Sequence, residues 1–187
     1  LRDSEILANR AGGMTHDSYS DIYIADILST SRTIAMVGAS ANVSRPSYFA
    51  MKYLMSKGFR VIPVNPGLAG KEILGETVYA KLADIPNAVD IVDIFRNSEA
   101  ALPITRDAIA IGAKVVWMQL GVRNDGAAKM AEEAGLKVVM NRCPKIEYGR
   151  LSGELSWAGV NSRMLSSRRP VLGAKGVQHR VLKATGE

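Results

Sequence analysis

The residues best equipped for chemistry lie between Thr33 and Pro66. Gly38-Ala39-Ser40 follows the apolar run Ile34-Ala35-Met36-Val37, and Ser44-Arg45-Pro46 comes shortly after. Small residues let a ligand approach the backbone, and glycine takes the positive φ that a sharp turn needs. Proline at a first helical position costs no hydrogen bond. Backbone N–H groups and the positive end of a helix dipole then converge on one place, and Arg45 adds a forked cationic donor. That combination suits a phosphate-bearing ligand. The same residues would also serve as a plain tight turn in an α/β domain.

The next groups sit at the ends of other apolar runs. Val64-Asn65-Pro66 ends Arg60–Val64, and a glycine-rich stretch from Gly67 to Glu76 follows with Lys71 as its one base. A lone exposed lysine is usually just a solvated charge; its place in this loop leaves a phosphate contact as the alternative. Phe95-Arg96, Gln119 with Gly121, and Asn141-Arg142-Cys143 end three further runs. A nicotinamide dinucleotide site asks for G-x-G-x-x-G and an acid about 20 residues later. Here the loop has a single glycine, and the second run ends in Asn65-Pro66 with no acid. Both departures disfavour an NAD(P)-dependent oxidoreductase without removing it.

These groups need a scaffold that brings run ends together. Short apolar runs bounded by glycine alternate with stretches of helical spacing, which predicts five parallel strands in an α/β, Rossmann-like doubly wound sheet of three layers. The expected strands are Ile34 to Val37, Arg60 to Val64, Asp90 to Phe95, Lys114 to Gln119 and Lys137 to Met140. Helices are expected from Asp21 after the cap Ser20, from Pro46 to a stop at Gly58, from Asn97 or Ser98 to Ile111, and from Asn124 or Asp125 to Ala134. A short helical turn is expected over Val78 to Leu82. Ligands on such sheets bind beyond the carboxyl ends of the strands, where the chain order reverses. The residues expected there offer amides, an aromatic, an arginine and small side chains. They include no carboxylate pair, no Ser-His-Asp set and no metal cluster, so the edge reads as a binding surface.

Composition narrows the classes further. The chain has 187 residues and a net charge of +6, with two histidines and one cysteine. A structural zinc site and an internal disulfide are therefore not expected. His16 and His179 are expected in solvated tails. Cys143 reads as a small buried residue or as a partner for a mixed disulfide with a thiol ligand, with Arg142 lowering its pKa. Charge is uneven: residues 1–32 carry −2, residues 33–160 carry +3 and residues 161–187 carry +5. Most of the basic excess lies in the tail, which argues against nucleic acid as the partner of the domain. No apolar run reaches the ~18 residues of a membrane span, no secretory leader is legible, and the cytoplasm is the expected compartment, with an organelle lumen as the alternative. Leu1 opens the chain, with Met14 as a candidate native start. The expected organisation is an irregular extension over 1–20, a binding domain over 21–150 and a basic extension over 151–187, with Leu155, Trp157 and Val160 available for packing.

Several of these strings resemble the CoA-binding domain proteins of the YccU type. The match runs through Val37-Gly38-Ala39-Ser40, Arg45-Pro46-Ser47-Tyr48, Pro63-Val64-Asn65-Pro66, Gly70 to Gly75, Asp93-Ile94-Phe95-Arg96, Val116-Trp117-Met118-Gln119 and Asn141-Arg142-Cys143-Pro144. It covers roughly Ile22 to Tyr148. The chain is also similar to the N-terminal domain of the succinyl-CoA synthetase α subunit and of NDP-forming acyl-CoA synthetases. The resemblance implies that the cofactor is coenzyme A. Its pyrophosphate would sit on Gly38, Ala39 and Ser40, with Ser44 and Arg45 beside it. Adenosine would lie near Val64, Asn65 and Pro66, Lys71 would meet a phosphate, and the pantetheine arm would cross Phe95, Arg96, Gln119 and Gly121. The synthetases add a domain with a phosphorylated histidine and a nucleotide-grasp subunit, and about forty residues after Tyr148 are too few for that domain. A stand-alone binding protein for CoA or acyl-CoA is expected, with a non-catalytic ligase subunit as the alternative and a homodimer or a ligase chain as the protein partner.

Overall fold

The computed structural model describes residues 15–153. Helix α1 (Asp21–Thr30) begins where the Ser20 hydroxyl accepts a hydrogen bond from the Tyr23 N–H, and it buries Ile24, Ile27 and Leu28. Strand β1 (Thr33–Val37) leads through a loop into α2 (Pro46–Ser56), which buries Ala50, Met51 and Leu54. Strand β2 (Arg60–Val64) is followed by a small hairpin of β3 (Glu72–Ile73) and β4 (Glu76–Thr77). Leu74 and Gly75 turn that hairpin with φ of 52° and 84°, the mirror-image turn that matches strand twist. Strand β5 (Ile91–Ile94), α3 (Ser98–Ala110), β6 (Val115–Met118), α4 (Asp125–Glu133) and β7 (Lys137–Val139) complete the alternation.

The main sheet has five parallel strands in the order β2-β1-β5-β6-β7. From β1 the chain steps to one side, and after β2 it crosses to the other. The order therefore reverses between β1 and β5, and a crevice opens above their carboxyl ends. Right-handed crossovers put α3 and α4 on one face and α2 on the opposite face, because the two sets of strands are laid down in opposite directions. On the α3/α4 face, Ala35, Val92, Val116 and Val138 pack against Ala101, Ala108, Ala127, Ala128 and Ala131. Alanines there let the helices lie close to the sheet. On the other face Met36, Asp93 and Trp117 stand side by side in one register row.

The expected strands and helices are present, with ends shifted by one or two residues. Three differences carry information. The helical turn expected over Val78 to Leu82 lies instead at Leu82–Asp84, because the Tyr79 N–H and C=O are taken by Pro63 and Asn65 in an extended pairing with β2. His16 is 6% exposed rather than solvated, its Nδ1 beside the Tyr19 hydroxyl and its Nε2 3.2 Å from Glu132. Residues just after it seal the outer edge of β7. The Tyr19 hydroxyl accepts from the Met140 N–H, and the Tyr23 hydroxyl accepts from the Val138 N–H and donates to the Val138 C=O. Sheet edges are usually blunted in some such way.

The third difference is an unexpected helix. The described residues divide between Cys143 and Pro144 into two units, and the second contains α5 (Pro144–Leu151), within which Arg150 pairs with Glu147 at 2.7 Å. Pro144 at its first position was the one local signal for it. The basic residues of 161–187, the apolar group Leu155, Trp157 and Val160, and His179 lie outside the described residues.

Candidate functional site

The loop from Gly38 to Arg45 is shaped by its own side chains. Gly38 has a φ of +90°, and a Cβ added there would stand 2.4 Å from the Phe95 carbonyl oxygen. The positive φ expected of this glycine is present, and the space left by its missing Cβ is closed by the protein backbone. Beyond it, the Ser40 hydroxyl accepts from the Asn42 N–H, the Asn42 side chain accepts from the Ser44 N–H, and the Asn42 carbonyl accepts from the Arg45 N–H. Asn42 was missed by sequence reasoning, although an Asx turn before a Pro-led helix is a recognisable signal.

Helix α2 then begins in an unusual way. Ser20, Asn97 and Asn124 cap α1, α3 and α4 with side-chain hydrogen bonds, and each of those helices has an acid in its first turn. Helix α2 has Arg45 at the cap position, no side-chain cap and no first-turn acid. A cation at the positive end of a helix dipole is locally unfavourable. An anion placed at this end would offset that cost.

A cleft of about 330 Å³ opens at the switch point. Its floor is the carboxyl end of β1 and β2, with Val37, Gly38, Val64, Asn65 and Pro66. Ala80, Lys81 and Leu82 close one side, and Arg96 with Ala100, Pro103, Ile104 and Asp107 of α3 close the other. The α3 residues recur at helical spacing and so share one face. That face was legible, but its apposition to β1 and β2 was not, and Lys81 and Asp107 were missed. Lys81 Nζ lies 3.8 Å from Asp84, and its side chain is largely exposed.

Of the residues singled out from sequence, Gly38, Val64, Asn65, Pro66 and Arg96 line this cleft. Ala39 is buried, and its carbonyl accepts from Asn65 Nδ2 at 2.8 Å. Ser44 and Arg45 are exposed on the α2 side of the loop, and Lys71 is exposed before β3. Phe95 and Gln119 follow β5 and β6. Gly121 donates its N–H to the Asn141 side chain at 2.8 Å. Cys143 is buried, and the neighbouring Arg142 carbonyl accepts from the Trp117 indole N–H.

One ionisable group was overlooked. Asp93 on β5 is fully buried, and Gln119 Nε2 donates to both its oxygens at 2.9 and 3.1 Å. Burial pushes its pKa up to about 8, against the smaller lowering effect of the Gln119 hydrogen bonds. The carboxyl is thus largely neutral near pH 7 and orients the Gln119 amide. Among the described residues no cluster of His, Cys, Asp or Glu is placed to hold a metal ion, and no helix is long and apolar enough to cross a membrane. The arrangement offers ordered N–H groups, cations at the rim and an apolar cleft, which is the chemistry of holding an anionic, partly aromatic ligand.

Comparison with known proteins gives this geometry a context. A family model described as CoA binding domain matches residues 32–149. The uncharacterized protein YneT of Bacillus subtilis is 35% identical over 125 residues, which is 67% of this chain and 91% of that protein. A hypothetical protein from Pyrococcus horikoshii OT3 is 42% identical with a TM-score of 0.70, covering 73% of this chain and 95% of that one. The dinucleotide forming acetyl-coenzyme A synthetase 1 of Ca. Korarchaeum cryptofilum, solved with phosphate and ADP, is 26% identical with a TM-score of 0.52. That match covers 58% of this chain and 25% of the synthetase.

Proposed function

The chain belongs to the CoA binding domain family, and from that premise we propose that it binds coenzyme A or an acyl-CoA at the carboxyl end of its sheet as a stand-alone binding protein. The observation that carries this is the start of α2, where Arg45 occupies the cap position with no capping side chain and no acid. A pyrophosphate on the Gly38, Ala39 and Ser40 loop supplies the missing negative charge, with Ser44 and Arg45 at its side. The adenosine lies against Val64, Asn65 and Pro66 in the apolar cleft, and Lys71 reaches a phosphate. The pantetheine arm crosses Phe95, Arg96, Gln119 and Gly121. Since Gln119 Nε2 is held by Asp93, its Oε1 is the acceptor available to a pantetheine amide. Holding and presenting the thiol or thioester, without a reaction of its own, is the role this set of residues supports.

Thermal unfolding with CoA, dephospho-CoA, acetyl-CoA and NADH tests it. At ~100 times its dissociation constant a ligand stabilises by about 2.7 kcal/mol, which raises the midpoint by roughly 5–11 °C for a chain of this size. The expected result is a raised midpoint with CoA and an unchanged one with NADH. A shift with NADH alone would overturn the proposal in favour of a dinucleotide oxidoreductase.

A second role has its own support in the similarity to a quarter of the acetyl-coenzyme A synthetase chain. Under it, this chain lends a CoA site to a separate ligase subunit. A copurifying partner and ATP- or GTP-dependent formation of acyl-CoA by the pair would distinguish it. Neither would appear for a binding protein acting alone or as a homodimer.

A further inference from the structure

Asn65 stands where a nucleotide-binding residue is expected, yet its side chain is spent inside the protein. Oδ1 accepts from the Gly67 N–H at 2.9 Å, and Nδ2 donates to the Ala39 carbonyl at 2.8 Å. The backbone is equally committed: its N–H donates to Tyr79 and its C=O accepts from Leu68. The amide orientation is fixed from both ends. A flipped side chain would set two oxygens against each other at Ala39 and two N–H groups against each other at Gly67.

The consequence falls on the neighbouring loop. A peptide unit is planar and trans, so its C=O and the following N–H point in opposite directions. Holding the Ala39 carbonyl toward Asn65 turns the Ser40 N–H away from Asn65 and outward. The Gly38 N–H is bonded to the Val64 carbonyl at 2.9 Å. The turn is thus pinned to the end of β2 at two successive points, one through backbone and one through Asn65. Among the described residues the Ser40 N–H has no acceptor. It therefore remains a pre-oriented donor beside the uncapped start of α2.

Resting on the coenzyme A site proposed above, we infer that Asn65 is a positioning residue for the diphosphate: it holds the Ala39–Ser40 peptide so that the Ser40 N–H faces the ligand. The ligand class it serves is a nucleoside diphosphate ester, whatever follows the second phosphate. Asn65 serves the diphosphate through the loop; with both polar ends of its side chain bonded within the protein, its contact with the adenosine is packing alone.

The test measures the affinity of wild type, Asn65→Leu and Asn65→Asp for CoA, ADP and adenosine by calorimetry. The Ser40 amide is followed by NMR in the same titrations. Asn65→Leu removes both side-chain bonds without adding charge. Asn65→Asp keeps the acceptor for Gly67 and replaces the donor to Ala39 with an oxygen that repels that carbonyl, so it remains informative should the leucine variant fail to fold. The carboxylate's repulsion of the ligand is screened by salt, whereas a mis-set peptide is not, so the aspartate variant is measured at low and high ionic strength. Expected results are a loss of about tenfold or more for CoA and ADP alike, an unchanged affinity for adenosine, and a large CoA-induced Ser40 shift seen only in wild type. Undiminished CoA binding by the variants, or an equal loss for adenosine, would overturn the positioning role while leaving the CoA site in place. Failure of wild type to bind CoA or ADP would overturn both.

Discussion

Replacing Asp93 with asparagine is expected to remove a pH-dependent burden from the fold. Asp93 has no solvent exposure, and its described partner is one amide, Gln119. Burial raises its pKa from 3.8 to about 8. The folded protein therefore keeps this proton up to about pH 8, while the unfolded chain releases it near pH 4. Because the folded value is the higher one, the favourable contribution is complete below the unfolded pKa. It declines as pH rises and is lost by the time pH passes the folded pKa. One pKa unit corresponds to about 1.4 kcal/mol, so the four-unit window is worth on the order of 5 kcal/mol. Asparagine has nearly the same shape, can exchange hydrogen bonds with Gln119 and does not titrate. Urea unfolding of both proteins at each pH from 5 to 9 is the assay. The stability of Asp93→Asn relative to wild type should grow by about 1.4 kcal/mol per pH unit up to pH 8 and then level off. Other titrating groups are common to both proteins and cancel in the difference. Parallel pH profiles would refute the claim that Asp93 is buried with no charge partner.

Three further outcomes follow from the same geometry. Arg45→Ser should stabilise the free protein by about 1 kcal/mol, since serine caps a helix and removes a cation from its positive end, while weakening CoA by about tenfold; a variant that binds CoA as tightly as wild type would remove Arg45 from the site. Gly38→Ala should cost about 3 kcal/mol or more, because φ is +90° and the new Cβ would stand 2.4 Å from the Phe95 oxygen; an unchanged melting temperature would contradict this. Tyr23→Phe should cost about 1–2 kcal/mol by stripping the Val138 N–H and C=O of their hydroxyl partner. Hydrogen exchange at the Val138 amide should quicken in that variant, and an unchanged rate would show that the edge is protected by other means.

Much of the fold was legible because its signals are local. The run Ile34 to Val37 ended by Gly38, the Pro46 start and Gly58 stop of α2, and the Asn97 and Asn124 caps each need only a few neighbouring residues to be read. The collinear strings from Val37 to Pro144 likewise pointed to the family. Where the local signal misled, a distant group had taken the backbone. Val78 to Leu82 has the composition of a helical turn, but β2 pairs with Tyr79 and draws it into extended form. His16 looked like a tail residue, yet Glu132, far along the chain, sits 3.2 Å away.

The sequence by itself determined the alternation of strands and helices, the absence of an NAD-type acid after β2 and the odd pairing of Arg45 with a helix start. Each of these is a matter of residue type and short spacing. Only the tertiary structure decided what the polar side chains do. Asparagine at position 65 can bind a ribose or a carbonyl equally well, and strand order put Ala39 within its reach across 26 positions. Asp93 reads as one acid in an apolar run, and only the register that sets it beside Met36 and Trp117 makes it a buried, largely neutral carboxyl. Local propensity sets the backbone, but a side chain's partner and its proton depend on what the packed sheet brings beside it and how much water it excludes.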